Sequence, residues 1–73
     1  MEEQLLNALN ADREDIVGFL AADMFILEGG KKNEEAIHDF ENFAGCKIVM
    51  GSIPSLGIMA GSIHYNNKKY YFA

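Results

Sequence analysis

Cysteine is nearly absent from this sequence, and tryptophan is absent altogether. The single Cys46 rules out an internal disulfide. Cys46, His38 and His64 are too few and too scattered for a structural zinc site, so no metal and no cofactor is expected. Long apolar runs are missing too. A run such as Met24 to Leu27 is far too short to span a bilayer, and no membrane association is expected. The opening Met1-Glu2-Glu3 is acidic and lacks the basic start and apolar core of a signal peptide. A cytoplasmic location is the simplest expectation, and it suits a lone thiol. Cations are scarce: 6 Lys and Arg against 11 Asp and Glu give a formal net charge of −5. That balance discourages non-specific contact with nucleic acid or anionic lipid.

What is present in abundance is apolar side chain, 49% of the 73 residues. A chain of this length buries only roughly 60% of the surface that its unfolded form exposes. One core of this size rarely supplies more than about 3–5 kcal/mol. With no disulfide and no metal to add to it, oligomerisation or unusually good packing must contribute. Part of the apolar surface is therefore expected to be covered by a second copy or another protein.

The composition changes near Gly45, and every acidic residue precedes it. This predicts one α+β domain over residues 1–73, with helices over about 2–44 packed on a three-stranded antiparallel β-meander over about 47–73. Leu5, Leu6 and Leu9 recur at helical spacing and predict a first helix over Glu2 to Leu9. Asp12 looks like the N-cap of a second helix, from Arg13 to about Leu27, with Glu14 and Asp15 in its first turn. Ile16, Val17, Leu20, Met24 and Leu27 form one apolar stripe of that helix, and Gly18, Ala21 and Ala22 a strip of small residues. Gly29-Gly30 would end it, although a short strand at Met24 to Leu27 competes with that reading. Asn33 caps a third helix that Gly45 terminates. Strands follow at Lys47 to Ile53, Ile58 to Tyr65 and Lys68 to Ala73. Asn66-Asn67 suits a two-residue hairpin turn, which sets Tyr65 opposite Lys68, Ile63 opposite Tyr70 and Gly61 opposite Phe72. Met59, Ile63, Tyr65, Tyr70 and Phe72 then share the better core face, with Ile58, His64, Lys69 and Tyr71 on the other.

Few residues invite chemistry. Asp23 falls between Ile16 and Phe19 on a continuous helix, where burial would raise its pKa and suit a general base or ligand contact. A local capping role is the plainer reading, since catalysis needs a second positioned group and none is evident. Ser62 and His64 share a strand face, but no third member or oxyanion loop accompanies them. Cys46 reads as a small buried hydrophobe at a helix-to-strand corner. The spacing of Gly45, Gly51, Gly57 and Gly61 lacks the Gly-Lys-Ser or Gly-Lys-Thr of a phosphate loop. Lys68, Lys69, Tyr70 and Tyr71 interleave cations with aromatics, as nucleic-acid binders do. Three helices and a hairpin are also the order of a winged helix-turn-helix. Its recognition helix, however, would carry Glu34, Glu35, Asp39 and Glu41, which repel phosphate.

The sequence thus points to a non-enzymatic interaction or regulatory module. It would bind another protein, a second copy in the simplest case, through a sheet edge or an aromatic face. The candidate contacts are Asp23, His64, Lys69, Tyr71 and Phe72, with the small strip Gly18, Ala21 and Ala22. The alternative is a regulator of nucleic-acid transactions, either winged-helix-like or an acidic inhibitor of a nucleic-acid-binding protein. A small enzyme with sites completed between subunits comes third.

Overall fold

Two short helices open the chain. α1 spans Glu2–Asn10 and α2 spans Glu14–Phe25. The computed structural model describes the backbone of residues 1–73 and every side chain but those of Ile53 and Pro54. The corner between the helices corrects the assignment of Asp12. It caps no helix N-terminus; it adopts a left-handed conformation, φ 54°, just beyond the end of α1. Its N–H bonds the Leu9 carbonyl (3.1 Å), and the Arg13 N–H bonds the Ala8 carbonyl (2.9 Å). These two bonds make a Schellman closure, with aspartate at the position glycine usually fills.

α2 stops short of the expected Leu27. Ile26–Leu27 is instead a short strand, β1, paired antiparallel with β2, Lys31–Lys32. Gly29 and Gly30, with φ of 92° and 74°, therefore turn a hairpin and do not cap the helix. The Asn33 N–H bonds the Phe25 carbonyl (2.8 Å), which ties the far side of the hairpin to the helix end. α3 then covers Glu34–Ala44, capped as expected by Asn33, whose Oδ1 accepts from the Ala36 N–H (3.3 Å). Glu41 on α3 reaches past its C-terminus and accepts from the Ile48 N–H (2.9 Å), fixing the start of the sheet.

The sheet is a meander in the order β3 (Lys47–Ile53), β4 (Ile58–Tyr65) and β5 (Lys68–Phe72), with a 3-10 turn at Pro54–Leu56. Its register is the expected one: Tyr65 faces Lys68, Ile63 faces Tyr70 and Gly61 faces Phe72. Asn66 and Asn67 both take positive φ, 54° and 66°, as a two-residue hairpin turn requires. Alternation along the strands buries Ile48, Ile63, Tyr70 and Phe72 on one face.

Helices cover that face. Phe25 of α2 lies at the centre, 5.7 Å from the Phe40 ring of α3 and 5.8 Å from the Phe72 ring of β5, both tilted. Leu5 and Leu9 of α1 and Val17 and Ala21 of α2 complete the core. Gly61 belongs to the same construction. A Cβ there would stand 2.6 Å from Phe72 Cζ and 2.7 Å from the Val49 carbonyl oxygen. Only glycine lets the Phe72 ring lie across β4.

Candidate functional site

The apolar circumference of α2 is larger than the core can use. Val17, Ala21 and Phe25 are buried at i, i+4, i+8, which defines the inner stripe. Residues two apart on a helix are about 200° apart. Asp23 therefore lies opposite Ala21 and Phe25 and is exposed, not buried in the apolar side as the sequence suggested. The same rotation carries Phe19 outward, and its ring is 74% exposed. Sequence reasoning set an apolar stripe beside a strip of small residues on this helix and missed that Phe19 is left over. The signal was present: a 12-residue helix in contact with one core cannot bury four sides.

β5 holds the second leftover aromatic. Tyr71 alternates away from the core and is 72% exposed. The backbones of α2 and β5 approach closely beside it: a Cβ on Gly18 would be 3.2 Å from the Tyr71 carbonyl oxygen. The small strip thus serves contacts inside this chain. Gly18 seats the helix against β5, Ala21 is fully buried, and Ala22 is half-buried. Phe72 is also a core residue, packed on Phe25. Of the sequence candidates, Ala21 and Phe72 are therefore closed to a partner in this conformation, while Asp23, His64, Lys69 and Tyr71 are exposed.

Three of those four stand on one surface. Lys47, His64 and Lys69 are cross-strand partners, as are Val49, Ser62 and Tyr71, and Gly51 pairs with Ala60. All eight lie on the face of the sheet turned away from the helices. It carries Lys47 and Lys69 on either side of His64 toward the Asn66-Asn67 turn, and an apolar, small-residue centre where Val49 is exposed. Lys69 Nζ stands 5.8 Å from the centroid of the Tyr71 ring, near enough for a cation–π contact.

A groove of about 750 Å³ separates α2 from the far end of the sheet. Phe19, Ala22 and Asp23 line one wall, Ile58, Met59 and Tyr71 the other, with Ile26 and Gly30 of the β1–β2 hairpin at one end. That volume falls within the range of sites that hold small ligands or peptide segments. Tyr71 lines both this groove and the shallow hollow of the outer sheet face, so the two meet at its ring.

The polar residues cluster elsewhere. Asp12 accepts from Lys68 Nζ and from Tyr70 Oη (2.9 Å), and Lys68 also pairs with Glu14 (3.1 Å). Tyr65 Oη donates to Asn10. The cluster clips the α1–α2 corner to the β4–β5 hairpin. The bonds from Lys68 and Tyr70 hold the Asp12 carboxyl below the usual carboxylate range, and the bonds to Asp12 and Glu14 hold Lys68 above the usual lysine range. Burial and the Asp12 bond push the Tyr70 phenol up. Burial, with the Glu41 charge nearby, pushes the Cys46 thiol up to about 11. Asp15, bonded to Arg13, is lowered. Each of these shifts runs away from neutrality. Among the described residues no group of three or more His, Cys, Asp or Glu is placed to hold a metal ion, and no helix is long and apolar enough to cross a membrane. No protein-family model, no curated protein and no solved structure matches this chain significantly, so the surface itself is the guide to function.

Proposed function

We propose that the chain is a non-enzymatic protein-interaction module that acts through the apolar surface around β5, and that it self-associates there. The observation that carries this reading is the two most exposed aromatics among the described residues, Phe19 and Tyr71, at 74% and 72%. Two such rings leave about 150 Å² each in water, so together they reach the lower end of the largest apolar patch on an ordinary monomer. Val49 and Ile58, both exposed, extend it across the outer sheet face. Gly51, Ala60 and Ser62 keep the middle of that face low, which allows another backbone to approach closely. A two-fold contact would bring one such face against its copy, each Tyr71 meeting the partner's surface.

Light scattering across a dilution series tests the proposal, with Tyr71→Lys as the variant. The expected result is a concentration-dependent dimer that Tyr71→Lys abolishes with little change in Tm, because the ring contributes little to the core. A wild-type chain that stays monomeric at high concentration overturns self-association.

A second reading rests on the Lys47–His64–Lys69 row beside Tyr71, which could stack and neutralise single-stranded nucleic acid. The apolar surface is the larger feature, and the chain carries 11 carboxylates against 6 Lys and Arg. Both weigh toward protein. Salt-sensitive anisotropy with a labelled oligonucleotide separates the two readings.

A further inference from the structure

β3 is an open sheet edge in mid-chain. The sheet runs β3-β4-β5, and among the described residues no strand lies on the far side of β3. The chain enters β3 from α3 and leaves it through the Pro54–Leu56 turn, so the edge owes nothing to either terminus. Glu41 fixes its phase. That carboxylate accepts from the Ile48 N–H, which places the Ile48 backbone groups on the open side. Alternation turns those of Met50 and Ser52 the same way, while Val49 and Gly51 bond toward β4. Among the described residues nothing bonds Met50 or Ser52 on that side.

Proteins blunt such edges with charge, proline or a bulge. β3 pairs one-to-one with β4 over all seven residues, so it has no bulge. Ile48 to Ile53 includes no charged residue and no proline. The blocks stand only at the two ends. Glu41 has taken the Ile48 N–H, and Pro54 has no N–H to give. Between them Met50 and Ser52 each offer an N–H and a C=O, a set that is its own antiparallel complement.

We infer that this edge pairs antiparallel with the same edge of a second copy, about a two-fold axis at Gly51. Met50 then bonds the partner's Ser52 in both directions, and the symmetry repeats that pair on the other side of the axis. Ile48 falls opposite the partner's Pro54, so the ladder stops on both strands at once. One N–H is held by Glu41 and the other does not exist. This matching of blocks names the occupant as a copy: an unrelated strand has no stop at these positions and would leave its own groups unpaired there. Charge agrees. Lys47 is the only ionic residue of β3, and at about 3.3 Å per residue the two lysines stand about 26 Å apart, at opposite ends of the pair. The hollow below the edge, about 180 Å³ and lined in part by Ile37, Ile48 and Met50, has room for the serine that the copy brings over it. Both outer faces come to lie on one side of a continuous sheet. The contact thus uses a different surface from the one around Tyr71 and goes beyond that reading. Resting on backbone bonds, it is the weaker of the two.

Disulfide trapping tests it, since trapping captures weak contacts and reports register. All variants carry Tyr71→Lys, which disables the outer face. The axis makes Gly51 and the partner's Gly51 a non-hydrogen-bonded pair with Cα atoms about 4.5 Å apart, within disulfide reach. Two copies of Val49 would be about 13 Å apart, out of reach. Gly51→Cys should therefore form a linked dimer at least tenfold faster than Val49→Cys. Adding Ser52→Pro should slow the Gly51→Cys reaction at least tenfold while Tm holds, because proline is tolerated on an edge whose N–H meets only solvent. Ser52→Lys is the second blocking variant, should proline disturb the fold. Equal rates at the two cysteines overturn the inference, and so does a Gly51→Cys rate that neither blocking variant changes. Trapping at Gly51→Cys in a chain whose light scattering is indifferent to Tyr71→Lys keeps this inference and loses the outer-face contact. A dimer that Tyr71→Lys dissolves, with no trapping at Gly51→Cys, keeps the outer-face contact and loses this one.

Discussion

Gly61→Ala tests whether the Phe72 ring seated across β4 organises the core. The added Cβ would stand 2.6 Å from Phe72 Cζ, 2.7 Å from the Val49 carbonyl oxygen and 3.0 Å from Met50 Sδ. The methionine sulfur can swing aside. The Val49 oxygen is backbone held in the β3–β4 ladder and cannot move without breaking the register. Phe72 can move only toward Phe25, which packs in turn on Phe40. Overpacking of this kind costs typically about 1–3 kcal/mol. Alanine returns roughly 0.5–1 kcal/mol by stiffening the unfolded chain, so the net loss should fall at about 1–2 kcal/mol. A domain of this size shifts by about 4–8 °C per kcal/mol, which predicts a Tm lowered by roughly 5–15 °C. Calorimetry reads it directly. Gly51→Ala is the internal control, because its Cβ would meet only the Ala60 oxygen at 3.9 Å, an ordinary contact. That variant should be neutral or slightly stabilised. Equal Tm values for the two variants would refute the close-approach argument, and Phe72→Leu should recover part of the loss in the Gly61→Ala background.

Other perturbations probe separate parts of the structure. Asp12, whose folded pKa is depressed by Lys68 and Tyr70, contributes stability that is present above the ordinary carboxylate pKa and lost as pH falls through the folded value. Urea midpoints should therefore decline below about pH 4, and Lys68→Met should flatten that acid limb; an unchanged limb counts against the clip. Phe25→Ala should cost about 3–5 kcal/mol by removing the centre of the aromatic cluster, enough to leave much of the chain unfolded at 25 °C by circular dichroism. Cys46, half-buried and shifted up to about 11, should react with iodoacetamide at pH 8 far more slowly than a free thiol, and at a normal rate in denaturant.

The features legible in the sequence share one property: each is fixed by its immediate neighbours. Asn33 before Glu34 and Glu35 reads as a cap because capping involves residues three apart. Asn66-Asn67 sets the β4–β5 register because a two-residue turn leaves no slack. The misreadings involve partners that no local pattern announces, near or far along the chain. An aspartate ahead of Glu14 and Asp15 is locally indistinguishable from an N-cap, and what defines Asp12 instead is Lys68 and Tyr70, 56 and 58 residues later. The strand weighed against the helix at Met24 to Leu27 is present as β1, Ile26–Leu27, while its partner β2 escaped because a two-residue strand carries no periodicity. Glu41 escaped because its partner is the Ile48 backbone, which has no sequence signature.

Asp23 is a misreading of a different kind. The sequence set it on the apolar side of a helix, and the inferred burial does not hold. The expected stripe was rotated: Ala21 and Phe25 face inward, so Asp23 faces out with Phe19 for company. Burial would have given the acid a structural task, through hydrogen bonds or a shifted proton. Exposure at a helix C-terminus gives it none. Asp23 and the Phe19 ring are thus two parts of α2 that the core does not use, one acidic and one aromatic, and both stay in solvent because the buried stripe runs through Val17, Ala21 and Phe25.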